Sequence, residues 1–179
     1  MFVLNNTTRL TAGKPWTDQN GTQHPANWST WSKETLESYG IVEVAEDPKP
    51  DTRFYSVGQL GLDGKWEATL KKLDDTTEGD DIIAYGVKTQ WIAQTKETAN
   101  TLLAPSDWQV IAKAERDRAI DSDIATYRAN VVKKCTEIEA AITACKNMED
   151  FKALFDQPVN SDGNTTGNAP IYDWPEQVS

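Results

Sequence analysis

The side chains able to make or break bonds are few in this chain. One histidine, His24, lies between Gln23 and Pro25 in a turn-rich segment, and the two cysteines, Cys135 and Cys145, fall far away in a helical repeat. A nucleophile needs a base within hydrogen-bond reach, and this spacing offers His24 no such partner. Three His and Cys side chains are too few to build a zinc site. Ten residues apart on one helix, the two thiols stand about 15 Å apart, too far to bridge each other. The run "DDTTEGDD" at 74–81 invites a calcium reading. Laid on a twelve-residue loop from Asp74, it puts Tyr85 where a bidentate Glu is required, so a solvated acidic linker is the better account. No glycine-rich phosphate loop or dinucleotide fingerprint occurs. Among 28 acids, none stands out as a glycosidase pair. The expectation is a protein with no catalytic, cofactor or metal site, and not an enzyme.

Charge narrows the partners. The net charge of −10 is uneven: residues 43–81 hold eleven acids against five bases, residues 82–157 eleven against ten, and residues 158–179 three against none. Nucleic-acid binding needs clustered Lys and Arg that displace counterions, and no cluster appears. The N-terminal "MFVLNNTTRL" has no basic flank or long apolar run, so it does not read as a signal peptide. No window approaches the roughly 20 apolar residues of a membrane span. The expected setting is a reducing cytoplasm.

The elements that would position any site fall into two regimes. In residues 1–81 short extended runs flank tight-turn dipeptides, Asn20-Gly21 and Asp63-Gly64. One short helix between them is capped by Ser32 and ended by Gly40. After "KKLDDTTEGDD" the apolar spacing becomes three and four. Trp91, Thr95, Thr98 and Leu102 share a helix face, Pro105 stops that helix, and Ser106 caps the next, for which Trp108 and Ile111 supply the buried side. Ile124, Tyr127, Val131, Cys135, Ile138, Ile142 and Cys145 then form a narrow seam, nearly a coiled-coil repeat. Asn147 caps a last short helix carrying Met148, Phe151, Leu154 and Phe155. The reading is α+β: a β-rich N-terminal domain of short, sandwich-like hairpins over 1–81, a helical domain over 82–157, and a flexible tail over 158–179. Within the tail, "IYDWPE" gathers large apolar groups, and docking onto its own domain is the plainer reading.

Leu102-Leu103 before a break, Ser106-Asp107-Trp108, and Tyr127-Arg128 on an amphipathic helix appear in one order. In this order and spacing the segment 86–145 resembles the C-terminal region of bacteriophage tail fibre assembly proteins. The preceding "KTQWIAQTKETA" resembles tail-associated proteins of marine and cyanobacterial phages. The resemblance implies a small non-enzymatic chaperone, encoded beside a tail fibre, that helps the fibre fold and trimerise in the host cytoplasm or stays on the virion tail. Unpaired β edges aggregate before a trimer completes, and a chaperone can cover them by backbone pairing and aromatic anchors without ATP. On this reading Trp16, Trp28, Trp31, Phe54, Tyr55 and Trp66 are the candidate fibre contacts. The seam from Ile124 to Cys145 is either a self-association surface, matching a threefold fibre as a homotrimer, or intramolecular core. The alternative function is a permanent tail or baseplate component, such as a fibre-associated adaptor.

Overall fold

The computed structural model describes residues 1–178, and the chain is α+β. It divides into two compact units, Met1–Leu70 and Lys71–Ser179.

The first unit is built from short strands. β1 (Phe2–Leu4) is the centre of a three-stranded antiparallel sheet between β2 (Thr8–Leu10) and β5 (Ile41–Glu43). Asn5 and Asn6 close the β1–β2 turn with positive φ of 49° and 56°. Asn tolerates this left-handed conformation, and the Thr7 N–H closes the turn on the Leu4 carbonyl at 3.0 Å. β3 (Trp16–Thr17) and β4 (Gln23–His24) form a second hairpin. Its five-residue loop is held by Asp18, whose carboxylate accepts the N–H groups of Asn20 and Thr22, each at 2.9 Å. A short 3-10 turn, Ala26–Thr30, leads to helix α1 (Lys33–Ser38), where Ser32 Oγ accepts the Thr35 N–H at 3.3 Å and Gly40 leaves with φ of 73°. The third hairpin, β6 (Tyr55–Leu60) with β7 (Trp66–Leu70), carries a register shift between Val57 and Leu60. Trp28, fully buried, sits in a core with Trp16, Leu36 and Ile41, onto which Phe2, Leu4, Leu10 and Trp31 pack. Its indole N–H donates to the Lys14 carbonyl at 2.8 Å, which satisfies the one polar atom it takes inside.

The second unit begins earlier than the apolar pattern suggests. Residues 71–81 are no linker: β8 (Thr76–Glu78) and β9 (Asp81–Ala84) form a hairpin. The acidic run serves the start of helix α2 (Val87–Leu103). Asp75 accepts the Gly86 N–H at 2.7 Å and the Thr89 hydroxyl at 3.0 Å, Lys88 pairs with Asp74 at 2.9 Å, and the Val87 and Lys88 N–H groups donate to the Lys72 and Leu73 carbonyls. Unsatisfied amides and positive dipole at a helix start draw carboxylates, so the boundary falls at residue 70 rather than 81. A 3-10 turn at Ala104–Ser106 joins α2 to α3 (Asp107–Arg116), which ends at Asp117 with φ of 52°. α4 (Ser122–Ala144) packs along α2, and α5 (Met148–Ala153) follows, with Asn147 Oδ1 accepting the Asp150 N–H at 2.9 Å.

The segment after Pro158 is structured, contrary to the flexible tail expected of it. Val159 and Thr165 form a β-bridge, Ala169 and Ile171 are buried, and the Ile171 N–H donates to the Leu154 carbonyl at 3.2 Å. Lys134 Nζ meets Asp173 at 2.9 Å, and Trp174 packs on the cluster of Ala99, Tyr127 and Val131. "IYDWPE" is the reason: Ile171 is buried and Trp174 half-buried against the same unit, enough to order a polar segment that has little core of its own.

Candidate functional site

The residues with reactive potential are committed to structure. His24 is buried, stacked on Trp16 at 4.4 Å between ring centroids, edge-on to Tyr39 at 4.8 Å, and within 3.2 Å of Asp18. It closes an aromatic cluster and faces no nucleophile. Cys135 lies against Glu139 at 3.2 Å, and burial first, then the Glu139 carboxylate, push its thiol up to about 11. Burial and the nearby Asp150 also raise Cys145. A protonated thiol is a poor nucleophile. Among the described residues no three His, Cys, Asp or Glu side chains group as a metal site, and no helix is long and apolar enough to cross a membrane.

The six aromatics named as fibre contacts separate on burial. Trp16, Trp28 and Phe54 belong to the interior. Trp31, Tyr55 and Trp66 are half-buried. Trp66 donates to the Asp47 carbonyl at 3.1 Å while Lys49 sits over its ring at 5.4 Å. Large aromatics in a thin core are needed as filling, and three of the six are used for that. The seam divides less evenly. Tyr127, Val131, Ile138, Ile142 and Cys145 are buried within the single chain, and Ile124 and Cys135 are half-buried. Five of the seven are thus covered within the single chain, where α4 packs against α2, as the intramolecular reading of the seam has it.

What the unit does expose is α3, and it does so by reversing the expected orientation. Gln109 points inward at 8% exposure, while Trp108 and Ile111 stand 51% and 55% exposed, with Val110 exposed beside them. Two hydrogen bonds hold the reversal. Gln109 Nε2 donates to Asp121 Oδ2 at 2.8 Å, and the Asp121 N–H donates to Gln109 Oε1 at 3.0 Å. This ties α3 to the first residue before α4. The second restraint is Arg128. Its Nη1 donates to the Leu103 carbonyl at 2.9 Å and to Ser106 Oγ at 2.7 Å, and it pairs with Asp107 at 2.9 Å. The Ser106 hydroxyl therefore works in this clamp, donating to Leu103 O at 2.9 Å, and makes no cap to α3. Leu103, Ser106, Asp107 and Arg128, spread over 26 residues of sequence, meet around one guanidinium.

Beside the clamp lies a notch of about 180 Å³ with Leu102, Pro105, Trp108, Ile124 and Tyr127 in its lining. The Tyr127 hydroxyl is buried there without a hydrogen-bond partner among the described residues. Arg118 stacks over the Trp108 ring at 5.2 Å, which keeps the indole splayed outward. A second apolar exposure occurs on β9 and just after it, at Ile82, Ile83 and Tyr85. Spacing alone does not reveal either surface. Trp108 and Ile111 have helical spacing, and the signal that they face out is the Gln109–Asp121 pairing, which is visible only in three dimensions. Comparison of the chain with protein-family models, curated proteins and solved structures found no match.

Proposed function

We propose that this chain is a non-enzymatic viral assembly chaperone that binds a phage tail fibre, shields its distal β-rich region and promotes its folding and trimerisation. The observation that carries this reading is α3: a helix pinned by Arg128 and by Gln109–Asp121 so that Trp108 and Ile111 face solvent. Holding apolar side chains out of the core costs stability, and contiguous apolar exposure marks a surface that another polypeptide covers. The residues of the clamp are also those on which the resemblance to tail fibre assembly proteins rests. The notch beside Trp108 suits an apolar anchor from the partner, in the manner of an interface hot spot. Trp31, Tyr55 and Trp66 remain secondary candidates for fibre contact. With the α4 seam used internally, threefold assembly follows from three copies bound to one trimeric fibre rather than from that seam.

The test is co-expression with the long fibre gene encoded beside it. Soluble trimeric fibre is expected only with the chaperone present, and the double variant Trp108→Ala, Ile111→Asp is expected to abolish it while the chaperone itself stays folded by circular dichroism. Fibre that folds equally well alone would refute the proposal. Stoichiometric recovery of the chain in mature virions would favour the tail-component reading instead.

A further inference from the structure

A cleft of about 570 Å³ opens between α2 and the "IYDWPE" segment, a size proper to small-ligand sites. Gln90, Trp91, Gln94 and Thr98 line it from α2, Tyr172 and Trp174 from the opposite side. In a chain of net charge −10, no charged side chain contributes to this lining. A charged ligand would find no counter-charge here, and a purely apolar one would strand the side-chain amides.

The aromatic rings are set at angles. Trp91 packs edge-on against Phe155 at 4.8 Å and meets Tyr172 at 6.4 Å with 69° between the planes. Tyr172 also meets Phe155 at 5.9 Å, and it is 47% exposed where it lines the cleft. The polar groups are partly engaged already. Gln90 Nε2 already donates to the Tyr85 carbonyl at 2.9 Å, and the Thr98 hydroxyl donates to the Gln94 carbonyl at 2.9 Å. What remains is Gln90 Oε1 with the second N–H of its amide, and the lone pairs of the Thr98 hydroxyl. Gln94, one helical turn from Gln90, offers both an acceptor and two donors.

We propose that this cleft binds a neutral oligosaccharide, stacking a sugar ring on Tyr172 and Trp91 and receiving its hydroxyl protons on Gln90, Thr98 and Gln94. A sugar carries many hydroxyls that both donate and accept, plus C–H faces that stack on aromatic rings. A proline-rich peptide also stacks on aromatics, but proline has no N–H and leaves the acceptors of Gln90 and Thr98 unmatched. The segment singled out in the sequence as an anchor thus plays a second part, since Tyr172 and Trp174, placed by the burial of Ile171, form one wall of the site.

The experiment is saturation-transfer-difference NMR on the full chain, with neutral hexasaccharides of glucose, galactose, mannose, rhamnose and N-acetylglucosamine, and with octaproline as the competing class. Saturable binding of at least one hexasaccharide is expected with Kd on the order of 1 mM or tighter. Tyr172→Ala and the exposed Gln94→Ala should each weaken it about ten-fold, with the fold intact by circular dichroism. Because Gln94 is exposed, its variant tests the cleft even if Tyr172→Ala disturbs packing. Absence of saturable binding by every hexasaccharide, binding undiminished in Gln94→Ala, or tighter binding of octaproline would each overturn the proposal. The Trp108 surface is untouched by these variants, so the result is independent of fibre binding.

Discussion

Helices α3 and α4 carry similar apolar content per turn but dispose of it in opposite ways. α4 turns Tyr127, Val131, Ile138 and Ile142 into the interior, with Val131 and Ile142 fully buried. α3 turns Gln109 inward and leaves Trp108 and Ile111 out. The difference is set by what each helix touches. α4 lies along α2 for most of its length and can exclude water along a continuous stripe. α3 is ten residues long and is seated by polar contacts around its first turn: Arg128 at its start, and Asp121, which holds Gln109. A short helix seated by specific hydrogen bonds can be given an orientation that hydrophobic burial alone would reverse. Stability therefore resides in α4, and on the function proposed above recognition falls to α3.

The largest effect that would test this division is in α4. Ile142→Ala should destabilise the protein by about 2–5 kcal/mol, because an alanine leaves a cavity that the α2–α4 packing only partly closes. Urea denaturation measures it, and a loss under about 1 kcal/mol would mean the seam is not the main core of this unit. Next is the clamp. Arg128→Met keeps length and apolar stem but deletes the bonds to Leu103, Ser106 and Asp107, for a loss of about 2 kcal/mol. The Asp107 side chain is 54% exposed, so the ion pair itself contributes little, and the Leu103 carbonyl and Ser106 hydroxyl account for most of it. Arg128→Lys should not restore it, since an ammonium lacks the planar fork of a guanidinium. The same variant should blunt fibre binding, because α3 loses its fixed presentation. Trp108→Ala belongs at the other end: within about 0.5 kcal/mol of the parent in stability, yet deficient in supporting soluble fibre. If Trp108→Ala unfolds the protein, the contrast between the two helices fails.

The same contrast explains what is legible in the sequence. The α4 seam is legible because its period is long, regular and repeated over about six turns, and periodicity survives without any knowledge of the neighbours. The caps at Ser32 and Asn147 are legible because a cap is a local bond between residues three apart. The β-rich start and the helical second half follow from the change in apolar period. What escapes depends on contacts between distant residues. "DDTTEGDD" reads as a solvated linker because its partners, the first amides of α2, are about a dozen residues away. The tail reads as unfolded because one dense anchor, Ile171 to Trp174, orders it against helices laid down earlier in the chain. Trp16, Trp28 and Phe54 read as contacts because an aromatic in a small domain looks alike whether it fills a core or faces a partner. Gln90 and Gln94 carry no signal at all: glutamines on a helix are ordinary until aromatic residues about eighty positions later close over them.

The subtlest difference between the helices is chemical, and cysteine reads it directly. Cys135, on the inner side of α4, has its thiol pushed up to about 11 by burial and by Glu139. A cysteine placed outward on α3 by Ile111→Cys meets water and should keep the ordinary thiol value of 9.0 from which Cys135 is displaced. At about pH 8 the thiolate fractions then differ by about two orders of magnitude, and so should the rates of modification by a disulfide reagent. The sign of the linked stability follows from the same shift. The fold favours the neutral thiol of Cys135, so its contribution is complete below the ordinary value of 9.0 and is lost as pH rises toward about 11. Replacing Cys135 with serine should flatten that part of the stability profile. Equal labelling rates at the two positions would show that the inner face of α4 opens to solvent as readily as α3, and the separation of core from recognition surface would then be lost.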